Sequence, residues 1–455
     1  MTTTYTDFIA AIDLGTSQIV GMVGTKNAGG VLSIIAYEKE NSTNCIRRGC
    51  VYNIEETANK IKRMVLKLEN KLNGTRIGKV YVGIGGQSLR TIDHTVSKVL
   101  GNDGVVTEET IQALHQECRS YHPDMLDVLA AVSPSYQLDG KPEANPVGIP
   151  CTRIEAHYKL IVGRPSLQHY LRNSISERAK IEIAGIFVSP LAMADVLLND
   201  DEKDLGCALI GFGAGVTTLT VYKYGKLVNL SVIPFGGNTI TRDITSLQIV
   251  ESEAERIKQT FGSAQFNKDL DQTIQVNAAD GMGLKEIKLA ELNNIIAARM
   301  KEILANEYAR IESTGLIGNL GAGIIITGGG ADLKNLPEAI KEQFKMDVRY
   351  ATIRKGIINS SELSISALQN AVVIGLLMKG SVNCAIPPIP EKPKEPEPII
   401  VEPTVTPEPE QPKKPEQKST SSRGKKKGLG NIFERLTNTF AGDLFKEEEE
   451  ENNEK

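Results

Sequence analysis

Apolar residues in this chain gather in short runs, and several of those runs end in glycine. Residues 8–12 form one such run, closed by Asp13, Gly15, Thr16 and Ser17, and a second run at 19–23 leads away from it. This pattern predicts a buried strand, a tight turn and a returning strand. Gly15 would let backbone approach a bulky ligand closely. Successive N–H groups in such a turn can cradle anionic oxygen, and Asp13 offers hard oxygen to magnesium through the metal's waters. Together they suit a nucleoside triphosphate. Taken alone, the stretch is equally well read as an ordinary hairpin whose turn holds Asp and Gly for conformational reasons.

The unit returns at 207–221, CALIGFGAGVTTLTV, with its turn at Gly211, Gly213 and Gly215. Each copy runs on into a third apolar strand, at 31–37 and 226–233. A repeat of this length predicts two related domains facing one another. A third cluster, IIITGGG at 324–330, again follows an apolar strand. Glycine turns at three strand ends define a nucleotide cleft far more specifically than any one of them.

Between these units the periodicity changes to that of helices. Residues 55–73 carry Ala58, Ile61, Val65, Leu68 and Leu72 on one stripe and stop at Gly74. Helices are also expected at 108–120, 125–132, 165–180, 191–198, 239–247, 251–261, 285–311 and 366–378, and strands at 79–84 and 181–188. Residues 87–162 mix short helices with turn-rich strands and read as a small α+β insertion. From 387 the composition shifts abruptly, with 11 prolines by residue 415 set among Glu and Lys. Such a segment cannot bury enough apolar surface to fold and is expected to be a semi-extended linker.

Beyond the linker, Arg423, Lys425, Lys426 and Lys427 form a basic cluster. Leu429, Ile432, Phe433, Leu436, Phe440, Leu444 and Phe445 then recur mostly every three or four residues. On a helix they make one broad apolar face. It fits the interfacial plane of a membrane, with the basic cluster drawn to anionic lipid; docking on protein is the other reading. Glu434, Asp443 and the acidic run from Glu447 weaken the lipid electrostatics and leave more of the work to the apolar face.

Composition narrows the functional classes. At 40% hydrophobic and 24% charged residues the chain is ordinary for a globular protein, and its net charge of −4 gives no footprint for nucleic acid. No apolar run approaches the ~20 residues that span a bilayer, and MTTTYTDF lacks the basic and apolar regions of a signal peptide. The six cysteines include no C-x-x-C pair and are expected to be reduced thiols of a cytoplasmic protein. The five histidines show no metal-ligand spacing.

DLGTS, GFGAG and ITGGGADLKNL, in that order, resemble the phosphate-1, phosphate-2 and adenosine motifs of the actin/sugar-kinase/heat-shock-chaperone ATPase superfamily. SVIPFGGNTITRDI (231–244), SEAERIK (252–258), MLDVLAAVSPSYQLDGKP (125–142) and NPVGIP (145–150) are similar to the FtsA family of bacterial cell-division proteins. The resemblance covers about 7–380. It implies an α/β, actin-like two-domain ATPase fold: duplicated mixed-sheet domains around a nucleotide cleft, a small α+β insertion subdomain and a disordered C-terminal tail. The first domain would comprise 1–86 and 163–200, with the insertion at 87–162, which in this family lies at the polymer contact. The second would comprise 201–226 and 306–386, with an outer subdomain at 227–305. The linker would run over 387–424, a membrane-targeting helix over 425–446 and an acidic tail over 447–455.

The resemblance further implies ATP and Mg2+ as ligands. Asp13 would organise the metal, and Gly15, Thr16 and Ser17, with Gln18 next to them, would hold the β- and γ-phosphates. Gly213, Ala214 and Gly215 would hold phosphate from the opposite domain. Gly236 and Gly237 would form the family's second-domain turn. Glu255 and Lys258 would contact ribose and adenine, although a Glu–Lys pair on a helix is also an ordinary solvated pair. Gly328, Gly329 and Gly330 would pack on the adenosine. Arg299 and Glu302 match positions that contact the C-terminal peptide of the division polymer FtsZ, and they too read as plain exposed charges.

Two positions depart from the superfamily: Gly211 stands where an aspartate begins the second phosphate turn, and Gln18 where a lysine follows the first. Both losses favour binding over fast hydrolysis. The expected protein polymerises with itself and tethers FtsZ to anionic lipid on the cytoplasmic face of the inner membrane at the division site, where later division proteins join it. A sugar or carboxylate kinase of the same fold would need a catalytic aspartate in the cleft and has no use for a tethered amphipathic tail. A chaperone ATPase would carry a substrate domain in place of the linker. The tail and the 125–150 segment argue against a pilus-assembly adaptor or a shape-determining actin homologue.

Overall fold

The computed structural model describes residues 7–101, 104–268, 271–277, 283–359 and 369–386. The chain divides into two units, Met1–Pro390 and Glu391–Lys455. The linker, basic cluster, amphipathic helix and acidic tail expected from 387 onward lie outside the described residues.

In the first half, Ile9–Leu14 and Gln18–Lys26 form an antiparallel hairpin, and Leu32–Asn41 adds to its far edge. Lys79–Ile84 and then Glu182–Val188 join the other side in parallel. The second half repeats the arrangement. Cys207–Phe212, Thr217–Lys223 and Lys226–Ile233 are antiparallel, and Ile324–Thr327 and Val348–Tyr350 add in parallel beside the first of them. The registers also agree. Asp13 faces Val20 as Gly211 faces Thr218, and Leu14 faces Ile19 as Phe212 faces Thr217. In parallel sheets ligands gather beyond the carboxyl ends of the strands. Each half therefore presents its glycine turn at that edge.

Helix Ile54–Lys71 starts where the Asn53 side chain accepts the Glu56 N–H at 3.0 Å, and it buries Ala58, Ile61, Met64, Val65 and Leu68. The two halves are linked by Ser189–Leu197, leading out of the first, and Ala371–Lys379, returning to it. These helices pack so closely that a Cβ on Gly375 would lie 2.1 Å from the Ala192 carbonyl oxygen. Lys26 reaches the carbonyls of Met378 and Gly380 at the end of the returning helix, where a cation is favoured by the exposed carbonyls and the helix dipole.

Arg90–Val99, Asp127–Leu138, Lys141–Glu143 and Arg153–Gly163 form an antiparallel sheet covered by helix Glu108–Arg119. Although it interrupts the first half in sequence, this sheet extends the sheet of the second half. Ser231 pairs with Arg90, and the Thr91 hydroxyl donates to Asn229 Oδ1 at 2.9 Å while accepting the Leu230 N–H at 3.2 Å.

Two helix expectations need correction. Residues 125–132 belong to the Asp127–Leu138 strand. Ala130 and Ala131 suggested a helix, but tertiary pairing with Arg153–Gly163 overrides that weak propensity, and Pro134 sits where the register slips between His157 and Lys159. Residues 285–288 belong to the Leu284–Lys288 strand, a hairpin partner of Thr273–Asn277, and the long helix begins at Leu289.

That helix, Leu289–Glu312, buries Leu292, Ile296, Met300, Ile303, Leu304 and Ile311, and within the same stripe it buries Glu307. Neither carboxylate oxygen of Glu307 has a hydrogen-bond partner among the described residues. Burial pushes this carboxyl from 4.5 up to about 8, against a weaker opposing pull from Arg310. The group keeps its proton in the fold at pH values where the unfolded chain has released it. Its stabilising contribution is thus fully present below about pH 4.5 and is lost as pH rises through about 8. Glu307→Gln is expected to melt close to wild type at pH 5 and above it at pH 9, by a few kcal/mol. Parallel melting-versus-pH curves for the two proteins would contradict this.

Candidate functional site

The two repeated turns have nearly the same geometry. The Gly15 N–H donates to the Gln18 carbonyl at 3.0 Å, and the Gly213 N–H donates to the Val216 carbonyl at 2.9 Å. A Cβ on either glycine would lie 2.8 Å from that same carbonyl oxygen, so both turns require glycine. The next two N–H groups in each turn, of Thr16 and Ser17 and of Ala214 and Gly215, have no acceptor among the described residues. These are the donors a nest offers to an anion.

The turns also meet. A Cβ on Gly215 would lie 2.6 Å from Thr16 Oγ1, which accepts the Gly49 N–H at 2.9 Å. Ser42 fastens the first turn from behind. Its hydroxyl donates to the Gly15 carbonyl at 2.6 Å, and its N–H donates to the Ser17 carbonyl at 3.0 Å.

Asp13 ends its strand one residue before the first turn. Burial raises its carboxyl from 3.8 to about 6, and the Leu14 N–H pulls weakly the other way. Gln18 is exposed and brings no charge to the turn. Gly211, the counterpart of Asp13, has no room for a side chain. A Cβ there would lie 2.6 Å from Thr218 Oγ1 and 3.0 Å from Met193 Cε. Met193 and Thr218 thus fill the place of the missing acid.

Gly236 and Gly237 support the second turn from behind. The Gly237 N–H donates to the Gly213 carbonyl at 3.0 Å, and the Asn238 N–H donates to the Ala214 carbonyl at 2.8 Å. Helix Gly237–Ile244 begins at this point and is tied to helix Glu251–Phe261. Lys258 Nζ donates to the Gly237 carbonyl at 3.0 Å, to Thr241 Oγ1 at 2.8 Å and to Glu255 Oε2 at 2.7 Å. Burial alone would raise the Glu255 carboxyl, but hydrogen bonds from Lys258 and Thr241 outweigh it and hold the group below its ordinary range. The Glu255–Lys258 pair is therefore a structural tie to the turn as well as a candidate ribose and adenine contact. Thr241 and Asn238, at the heart of this network, were not singled out from sequence, since nothing local distinguishes them.

Gly328 and Gly330 press on Phe212, just before the second turn. Their Cβ positions lie 2.5 Å from the Phe212 carbonyl oxygen and 2.9 Å from its Cβ. Gly328 has φ +90°, a left-handed conformation that glycine adopts freely. A Cβ on Gly329 would meet nothing within 4 Å, so this glycine is the one facing open space. The structure thus gathers all three glycine turns.

The second candidate surface differs from the expectation of free charges. Arg299 binds Asp243 with both Nε and Nη2, the latter at 3.1 Å, and Nη1 reaches Glu302. Asp243 lies 56 residues earlier in the sequence and was not foreseen. An incoming carboxylate would have to share or displace these partners. The tail residues proposed to meet lipid lie outside the described residues.

The donor set around Asp13 fits magnesium bound through nucleotide. Among the described residues no three of His, Cys, Asp and Glu stand together. An ion here would rest on Asp13, its own waters and ligand phosphates, the usual manner for Mg2+.

Residues 208–374 match the family model described as Cell division protein FtsA. The chain is 38% identical over 377 residues to Cell division protein FtsA of Porphyromonas gingivalis, covering 82% of this chain and 78% of that protein. It is 30% identical over 348 residues to Cell division protein FtsA of Neisseria meningitidis, covering 75% of this chain and 83% of that one. Among solved structures, the PilM–PilN type IV pilus biogenesis complex superposes with a TM-score of 0.57 at 15% identity, covering 81% of this chain and 97% of that one. At that identity the match speaks for the fold alone. The fold is actin-like, with duplicated mixed sheets and an α+β insertion.

Proposed function

Because this chain belongs to the FtsA family of cell-division proteins, we propose that it binds ATP with Mg2+ between its two halves and tethers FtsZ filaments to the cytoplasmic face of the inner membrane. The observation that carries this reading is the contact of two matching turns, Thr16 on Gly215, with two unused N–H groups in each. Phosphates held there would be gripped from both halves, which makes nucleotide a regulator of how the halves close. Asp13 would hold the metal's waters, and magnesium would neutralise the phosphates when bound. The filled position at Gly211 and the uncharged Gln18 favour holding nucleotide over turning it over.

Self-assembly follows from a head-to-tail contact, which continues indefinitely. One amphipathic helix binds lipid modestly, and a filament presenting many gains by avidity. A linker of ~40 residues has a flexible-coil reach of roughly 35 Å, more if its prolines extend it. The FtsZ C-terminal peptide is assigned to the outer face of Leu289–Glu312 near Arg299 and Glu302, and later division proteins to the assembled filament. Among the described residues no helix is long and apolar enough to cross a membrane, and the tail supplies the anchor instead.

Sedimentation with anionic vesicles tests the tether. Wild type is expected to pellet. Phe433→Glu, which puts charge in the middle of the apolar face, and truncation before Lys425 are both expected to stay in the supernatant while still binding ATP. If all three pellet equally, the tail is not the anchor and docking on protein takes its place.

A further inference from the structure

Three parallel strand ends of the first half share one edge: Leu14, Ile84 and Val188. Asp13 stands at the first. The second carries Gly83, which is buried, and a Cβ on it would lie 2.4 Å from Ser189 Oγ and 3.3 Å from Asp13 Oδ1. Ser189 is the residue after the third strand and the first of helix Ser189–Leu197. The missing side chain at Gly83 therefore leaves a gap with one oxygen of Asp13 on one side and the Ser189 hydroxyl on the other. The other carboxylate oxygen, Oδ2, faces the phosphate turn, 4.0 Å from the Cβ position of Gly15. Asp13 thus has one oxygen toward each space.

The Ser189 hydroxyl makes no hydrogen bond among the described residues and does not cap its own helix. Pro190, next in the chain, has no N–H to offer, so the hydroxyl is the polar group that this helix start presents. A half-buried hydroxyl without a protein partner, beside a carboxylate and a space shaped by glycine, suits a hydrated cation. Asp13 alone gives the ion one protein oxygen. The acid that position 211 could have contributed from the opposite half is absent, and Met193 and Thr218 fill its place.

We propose that Ser189 is a positioning residue of the magnesium subsite, its hydroxyl holding a water of the ion's shell across the Gly83 gap from Asp13. This rests on the ATP reading above and deepens it. A hydroxyl orients a water without taking its proton at neutral pH, because it is a poor base there. The subsite therefore strengthens metal-dependent binding without supplying a general base for hydrolysis.

The test compares ATP affinity of the full chain in Mg2+ and in EDTA for wild type, Ser189→Ala, Ser189→Thr and Gly83→Ala. Wild type is expected to bind ATP more tightly with Mg2+. Ser189→Ala should lose roughly tenfold or more of that gain, the usual effect of removing a partner that holds a metal's outer shell. Its affinity in EDTA and its melting midpoint without nucleotide should stay as in wild type. Ser189→Thr keeps the hydroxyl and should keep the gain. Gly83→Ala fills the gap while leaving both oxygens in place and should lose the gain. An unchanged Mg2+ gain in Ser189→Ala overturns the role of Ser189 and leaves the ATP site standing. A wild type with no ATP binding in either buffer overturns both.

Discussion

Gly375→Ala is expected to be the most damaging single-methyl change in the described part of the chain. The added Cβ would lie 2.1 Å from the Ala192 carbonyl oxygen and 2.6 Å from its carbonyl carbon, so the obstacle is backbone, which cannot rotate away. The two helices involved are the covalent links between the halves. Pushing them apart also disturbs the Lys26 contacts at Met378 and Gly380 and the 2.7 Å pair of Lys379 with Asp195. Overpacking a tight core costs about 1–3 kcal/mol, and a backbone clash belongs at or above the top of that range. A melting midpoint lower by several degrees should result. Gly283→Ala is the control, since a Cβ there would meet nothing within 4 Å. Equal melting of the two variants would show that the helix crossing does not limit stability.

Asp13→Asn should change stability and binding in opposite directions. The Asp13 carboxyl is raised from 3.8 to about 6 by burial. Its stabilising contribution is fully present below about pH 3.8 and is lost as pH rises through about 6. Near pH 7.5 the wild type therefore carries a buried charge that asparagine removes. Discounting for partial exposure, the variant should be more stable without nucleotide by about 1–2 kcal/mol. With Mg·ATP the order should reverse, because a ligand that binds the native state stabilises it by mass action and the variant loses much of that gain. A tenfold loss of affinity corresponds to about 1.4 kcal/mol. Melting at pH 7.5 with and without Mg·ATP shows whether the two proteins cross over. A variant less stable in both conditions would mean that Asp13 holds the fold together and is not a strained ligand group.

The parts of this architecture that sequence made legible share one property: they are local. The 8–23 and 207–221 stretches each carry strand, glycine turn and strand within a few residues, and the structure gives both the same register and the same turn bond. Ile324–Thr327 and Glu251–Phe261 have the predicted bounds. What sequence missed depends on residues far apart in the chain. Asp243 reaches Arg299 across 56 positions, and Lys258 reaches the Gly237 carbonyl across 21. Neither leaves a local trace, so Arg299 looked like a free cation and Lys258 like a plain ligand contact. Residues 125–132 show the opposite failure, where local alanines suggested a helix and pairing with a distant strand decided otherwise. Ser189 and Gly83 could have been suspected from one signal. Both follow or end apolar strands that run parallel to the strand of Asp13, and so belong to the same edge.

The central claim is a nucleotide site gripped from both halves by the turns at Gly15 and Gly213. Calorimetric titration of the full-length chain with Mg·ATP tests it most directly. The account predicts saturable binding of one nucleotide per chain, with product appearing far more slowly than binding equilibrates. No binding at millimolar nucleotide would contradict the site, and many rapid turnovers per chain would contradict its role as a regulated grip.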